Sequence, residues 1–292
     1  MCSQPIQLPR FANRAQQGES GETEHGLESE HEASAARSSQ VRSSKVQGRT
    51  LRWAASILVS LFLLVTVLVI VGRYGSQGLQ VVQSNRMRGQ CMQNLEKLAA
   101  ALKAYEQDYG TLPPPALVAA DGTPLLSWRV LLLPYLNRRD LYDEFRLNEP
   151  WSSTHNSALM LSMPEVFRSP AGINVTGAES HYSMIVGAGT LFPASGPMRL
   201  GEVRDGLNRT LLLVEIGTPT APSSQWTEPG EIDLSQLNAP VGVAIGGNHD
   251  GGATVVTADG RAHFLSDSVS ASVLQALATP SGGEGIANDV LD

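Results

Sequence analysis

Twenty consecutive residues, Trp53–Gly72 (WAASILVSLFLLVTVLVIVG), carry no charge. As a helix rising about 1.5 Å per residue they would extend about 30 Å, the thickness of a bilayer's hydrocarbon core. Only Ser56, Ser60 and Thr66 interrupt the apolar surface, so the stretch lacks the polar stripe of a helix packed on a soluble core. A single transmembrane helix over 53–72 is expected, and it divides the chain. The apolar run is longer than the roughly 7 to 15 residues of a signal-peptide core, and no A-x-A cleavage site stands directly after Gly72. It reads as a retained anchor.

Residues 1–52 are rich in Ser, Gln, Glu, Arg and Gly, with an acidic cluster from Gly18 to Glu32 and no hydrophobic period. Such a segment buries too little apolar surface to offset the entropy of ordering it, and it is expected to be a disordered tail. Its last third turns basic, with Arg37, Arg42, Lys45, Arg49 and Arg52 and no acid among them, against Arg73, Arg86 and Arg88 beyond the span. That bias places the tail in the cytoplasm, making the chain a single-pass protein of the cytoplasmic (inner) membrane whose C-terminal domain is periplasmic or otherwise extracytoplasmic.

Acidic residues outnumber basic ones, 28 to 21, for a net charge of -7, and aromatic residues are few. A basic stripe with stacking rings is absent, which argues against a nucleic-acid partner. The two cysteines, Cys2 and Cys91, fall on opposite sides of the span and cannot pair within one inserted chain. Cys91 reads as a small buried hydrophobe on a helix, with pairing between chains as the competing role.

After Gly72, Gly75 and Gly78, expected to form a loose joint, apolar residues recur at Leu79, Val82, Cys91, Leu95, Leu98, Leu102 and Tyr105. Apart from the gap of nine between Val82 and Cys91, the spacings are three and four, and they predict an amphipathic stalk helix over 73–108, ended by Gly110 and Pro113–Pro115. The remaining residues, 109–292, form one extracytoplasmic α+β domain. Ser127 is expected to cap a helix stopped at Pro134, and Thr154 to cap another. Strands are expected over 181–186, 210–216 and 241–247, and Asp259-Gly260 predicts a two-residue type I′ hairpin between ATVVTA and RAHFL. In that register Val256 faces His263. Asp267 or Ser268 would cap a last helix to Ala278, and the final dozen residues would fray.

Three stretches together resemble a family of pilin-like envelope proteins, a domain of unknown function abundant in planctomycete bacteria and related to type II secretion pseudopilins. The first is CMQNLEKLAAALKAYEQDYGTLPPP, similar to the family's Cys-x-x-Asn-Leu helix and Tyr-Gly-Thr-x-Pro-Pro turn; the second is PLLSWRVLLLPYL with Leu141-Tyr142 and Glu149-Pro150-Trp151 downstream. The third is Asn248-His249 followed by Asp259-Gly260, similar to a His-x9-Asp-Gly signature, and Asp205–Glu215 resembles an Asp-Gly-x-Ser-Asn-Thr strand. The resemblance covers about residues 55–267. It implies a pilin-like ectodomain in which a long N-terminal helix packs on an antiparallel sheet. Members commonly carry a Gly cleavage point followed by Phe-Thr-Leu-x-Glu at the head of the apolar helix. Here that helix opens with Arg52-Trp53-Ala54 and contains no Glu, so a permanently anchored relative is expected rather than a processed pilin.

His249 is the residue most open to a chemical reading. With Asp250, Asp259, His263 and Asp267 nearby in sequence, it can be read as part of a divalent-cation site. Separately, the resemblance to pseudopilins implies loop Ca2+ binding, which would draw on Asp205, Asn208 or Asp250 with no EF-hand spacing to support it. The competing reading gives Asp259-Gly260 to a turn and a neighbouring loop to His249 as its hydrogen-bond partner. At about 3.4 Å per residue, His249 and Asp259 would lie roughly 20 Å apart, too far for one ion. The chain contains no G-x-S-x-G, H-E-x-x-H, P-loop or CxxC pattern. The expectation is therefore a non-catalytic structural or protein-binding component with no cofactor, whose partners are the bilayer and other envelope proteins or further copies of itself. The alternative is an exported metal-dependent hydrolase or cation-binding sensor using His249 and nearby carboxylates.

Overall fold

A computed structural model describes residues 28–172 and 177–291. The structure is mixed helix and sheet, antiparallel except for one short parallel pair (185–186 with 232–233), an α+β fold with one long apolar helix near the N-terminus, and the chain divides into two compact units, 1–75 and 76–292. Helix α1, Glu28–Tyr109, begins in the first unit and ends in the second.

In the first unit α1 starts at Glu28, inside the stretch expected as a disordered tail; residues 1–27 lie outside the described residues. Residues 28–52 are mostly good helix formers, and a helix already nucleated at 53–72 propagates into them at little cost. Trp53, Ile57, Leu61, Phe62, Leu64 and Leu68 stand exposed. Ser56 and Thr66 return their hydroxyls to the carbonyls of Arg52 and Phe62 (2.9 and 2.8 Å), so neither presents an unsatisfied donor to lipid. Among the described residues this is the one helix long and apolar enough to cross a membrane, which fits a single-pass membrane protein.

In the second unit α1 buries Cys91, Leu95, Leu98 and Leu102 of the predicted stripe, with Ala99 beside them and Tyr105 half-buried, whereas Leu79 and Val82 at the start of that stripe are exposed. Short elements follow: β1 (Ala116–Val118) pairs with β2 (Pro124–Ser127), then come α2 (Trp128–Leu131), α3 (Arg139–Glu144) and α4 (Thr154–Ser157). Ser127 caps α2, whereas Ser153 rather than Thr154 caps α4, its hydroxyl accepting from Asn156 N. Pro134 does not stop the chain's helical course but sits near the start of a 3-10 turn, Leu133–Leu136, where its missing N–H costs nothing.

The strands β3 (Glu179–Ser180), β4 (Tyr182–Ser183), β5 (Ile185–Val186), β6 (Leu211–Glu215), β7 (Ser224–Gln225), β8 (Ile232–Asp233), β9 (Gly252–Thr257) and β10 (Ala262–Ser266) complete the β content. The principal sheet has the order β10-β9-β6-β4 and is antiparallel throughout. On one face Leu213 and Val256 join the stripe of α1, with Trp128, Phe167 and Trp226 in the same core. On the other face Val214, Val255 and Leu265 meet Leu274 and Leu277 of helix α5 (Ala271–Ala278), which Ser270 caps in place of Asp267 or Ser268.

Residues 241–247 do not form the expected strand. Gly242, Gly246 and Gly247 take φ of 86°, 93° and 92°, which bend the chain into turns despite its apolar sequence. The hairpin also differs from expectation. Asp259 does not take positive φ; only Gly260 does (φ 91°), and Thr257 N donates to Arg261 O across a three-residue loop. His263 is therefore opposite Val255, not Val256. The one-residue slip carries His263 to the α5 face, where its ring hydrogen-bonds the carbonyl of Leu291 in the C-terminal turn expected to fray.

The Ser-Trp-Arg of the PLLSWRV stretch has a structural purpose. Arg129 is fully buried, donating to Ser127 Oγ (2.8 Å), Ser180 Oγ (3.0 Å), Tyr182 O and Glu231 Oε1 (2.9 Å). Glu231 in turn accepts from Trp128 Nε1 (2.9 Å), Ser183 Oγ (2.7 Å) and Met184 N (2.8 Å). Removing one ion of such a pair strands the other without a partner. Glu231→Ala is expected to destabilise the fold by about 3–5 kcal/mol, read from the midpoint of denaturant unfolding.

Candidate functional site

Glu215 closes the run LLLVE in β6 and is fully buried, beside Cys91 of α1 and His249 of the loop entering β9. The backbone delivers His249 there. Gly246 N donates to Glu215 O (2.7 Å), and Asn248 Nδ2 donates to Ile216 O (2.8 Å), which lays the loop along the end of β6. Gly247 lets it lie that close, because a Cβ there would stand 2.9 Å from the backbone of Gly217. His249 Nε2 is 3.2 Å from Cys91 Sγ and 3.5 Å from Glu215 Oε1, and Cys91 Sγ is 3.9 Å from the same carboxylate oxygen. Sulfur, nitrogen and oxygen donors of these three residues form a group able to hold a metal ion.

Around them the polar groups are closely matched. Ser169 Oγ donates to Glu215 Oε1 (2.9 Å) and lies 3.1 Å from Cys91 Sγ. Thr254 holds the other carboxylate oxygen through its N–H (3.1 Å) and its hydroxyl (2.6 Å). Tyr182, also buried, has its hydroxyl beside Cys91 and Asn94 without a well-formed hydrogen bond among the described residues. Phe264 packs edge-on to the His249 ring and carries the Arg88 guanidinium 3.5 Å above its own centroid.

Burial, and secondarily the Glu215 carboxylate, push the Cys91 thiol up from 9.0 to about 11. Burial also raises Tyr182 well above its usual value, and it lowers His249 below 6.5 against the opposing pull of Glu215. A metal-free cluster thus holds a neutral thiol and a neutral imidazole. That is the opposite of the depressed thiol a cysteine nucleophile needs.

The other residues singled out by sequence lie outside the cluster. Asp205 accepts from Gly283 N (3.2 Å), and Asp250 is exposed, its carbonyl receiving Arg88 at 3.5 Å. Asp259 serves its turn, accepting from Thr257 Oγ1 (2.6 Å) and Arg261 N (3.1 Å), while its carbonyl receives Lys103 Nζ of α1. Glu215 was not singled out, although a carboxylate ending an otherwise apolar strand is the signal that marks it. Cys91 is fully buried, which leaves its thiol out of reach of pairing between chains.

Residues 83–190 match the model of a family described as a protein of unknown function, DUF1559. The match takes in Cys91, Ser169 and Tyr182 and the first two stretches that carry the resemblance; Glu215 and the segment from His249 to Gly260 lie beyond it. No curated protein and no solved structure matches the chain.

Two outcomes follow from the electrostatics. In a Cys2→Ser background, native Cys91 is expected to react with iodoacetamide at pH 8 at least about 100-fold more slowly than in denaturant, the tenfold-per-pH loss of thiolate between 9.0 and about 11 giving that factor before access is counted. Because the folded state lowers the His249 pKa, the unfolded chain binds the extra proton first. Stability of chelator-treated protein is expected to be full above pH 6.5 and to fall as pH drops below it, with this component missing in His249→Gln when unfolding is followed from pH 8 to 5.

Proposed function

We propose that this chain is a membrane-anchored, pilin-like structural component of the bacterial cell envelope, related to the type II secretion pseudopilins, with no catalytic activity. Its N-terminal segment lies in the cytoplasm and the domain over 109–292 lies outside the cytoplasmic membrane. It works by holding that domain at the membrane for contact with other envelope proteins or with copies of itself. The observation that carries the reading is the exposed apolar span of α1 together with a stripe of the same helix buried on an antiparallel sheet. The motif resemblance supports the pilin-like part, and the excess of Arg and Lys before Trp53 supports the orientation.

An exported metal-dependent hydrolase finds less support. Such an enzyme needs a ligand position open to water and substrate. The side chains of His249 and Glu215 are 1% and 0% exposed, and Cys91 is fully buried.

Alkaline carbonate is expected to leave the full-length chain in the membrane pellet, with detergent needed to release it. In intact cells with a permeabilised outer layer, added protease is expected to cut the C-terminal domain and spare a tag on the N-terminus. Release by carbonate would remove the anchor, and digestion of the N-terminal tag from outside would reverse the topology.

A further inference from the structure

We propose that Cys91 Sγ, His249 Nε2 and Glu215 Oε1 bind one divalent transition ion of the zinc class, which fastens α1 to the sheet. The site stands apart from the envelope role proposed above, and either can fail alone.

The spacing carries the proposal. Zinc bonds of about 2.3 Å to sulfur, 2.0–2.1 Å to nitrogen and 2.0–2.2 Å to oxygen, arranged tetrahedrally, set ligand separations of about 3.5 Å for S···N, 3.5 Å for S···O and 3.4 Å for N···O. The three separations here are 3.2, 3.9 and 3.5 Å. As hydrogen bonds the last two are long or weak; as edges of a coordination polyhedron they need shifts of a few tenths of an ångström. The three donors come from a helix, a strand and a loop, so no local turn geometry imposes the arrangement.

The surroundings fit a bound cation as well. Thr254 holds Glu215 Oε2 by two hydrogen bonds, which orients the carboxylate with Oε1 toward sulfur and imidazole. Ser169 Oγ, 3.1 Å from Sγ and 2.9 Å from Oε1, is a fourth donor atom beside them. The buried Tyr182 hydroxyl that lacks a well-formed hydrogen bond sits beside the thiol. It is placed to donate to a thiolate, a stronger acceptor than a neutral thiol. Binding displaces the Cys91 proton to solvent: thiol plus M2+ gives a metal thiolate and H+. Thiolate and carboxylate then neutralise the two positive charges, so the buried site carries no net charge. Arg88, the cation acting on His249, is turned onto Phe264 and the Asp250 carbonyl. A thiolate with an imidazole favours zinc over calcium, which seeks six to eight oxygens.

The test is metal titration of full-length protein in detergent, stripped with chelator and reduced, using Zn2+, Co2+ and Ca2+ separately. The expected result is one retained Zn2+ or Co2+ per chain, a sulfur-to-cobalt charge-transfer band in the Co2+ form, and a rise in melting temperature with Zn2+ but not with Ca2+. Cys91→Ser is expected to abolish the band and weaken binding by more than the 10–100-fold expected of Thr254→Val, which loses only the hydroxyl that orients Glu215. Asp205→Asn and Asp250→Asn should bind as wild type. The wild-type titration decides the matter even where a variant fails to fold. Failure to retain Zn2+ or Co2+, a preference for Ca2+, or a charge-transfer band that survives Cys91→Ser would overturn the site.

Discussion

The second unit depends on one contact, the burial of a single stripe of α1 against the face of the sheet that carries Leu213 and Val256. The sheet has four strands, and the outermost, β4, is two residues long. The other strand pairs have only two members each. Ribbons of that size are marginal in water, so their order has to come from what covers them. Helix α5 supplies eight residues on one side, and α1 supplies the long surface on the other, from Cys91 to Tyr105. The Arg129–Glu231 network belongs to the same construction. It gathers the β2–α2 corner, β3, β4 and the residue before β8 around one buried ion pair, tying the short strands to one another where their own ladders are too brief to do so.

The spacing from His249 to Asp259-Gly260 acquires a mechanical meaning from this contact. His249 meets α1 at Cys91, and the Asp259 carbonyl meets it again at Lys103. Twelve helical residues between those points rise about 18 Å. The strand between them, Gly252–Thr257, extends about 20 Å at 3.4 Å per residue. One strand and three turns of helix thus run side by side and are fastened at both ends. Gly260 suits the second fastening twice over, taking the positive φ of the turn and leaving room for Lys103, whose Nζ would stand 2.9 Å from any Cβ there. The sequence estimate of roughly 20 Å between His249 and Asp259 rests on the same strand length, and the two residues belong to different ends of one clasp rather than to one ion site.

What could be read in the sequence was periodic. The uncharged span, the stripe at Cys91, Leu95, Leu98 and Leu102, the Ser127 cap and the terminal hairpin each announce themselves within a few residues. What could not be read depended on long-range packing. VGVAIGG has the composition of a strand, but three glycines with positive φ turn it into the bend that brings Asn248 to Ile216. Asp-Gly predicts a two-residue loop, and the three-residue loop actually formed shifts every later partner by one, enough to move His263 to the opposite face. The cluster was hidden for the same reason: Cys91, Glu215 and His249 are separated by 124 and 34 residues, and no local pattern joins them.

An apolar stripe alone is a poor ruler. Leucines at Leu95, Leu98 and Leu102 would still find apolar neighbours if α1 moved along the sheet by two turns, at a modest loss of contact. Glu215 would not tolerate the move. Its carboxylate is surrounded by polar groups in one arrangement, Ser169 and Thr254 with Cys91 and His249 beside them, and a shift of seven residues that brings Leu98 to the place of Cys91 would put an apolar side chain against it. Leucine offers a buried carboxylate nothing, and the loss of even one donor in a dry site costs more than the hydrogen bond contributes when made. The buried polar cluster therefore sets which part of α1 lies on the sheet, and the leucines supply most of the free energy that keeps it there.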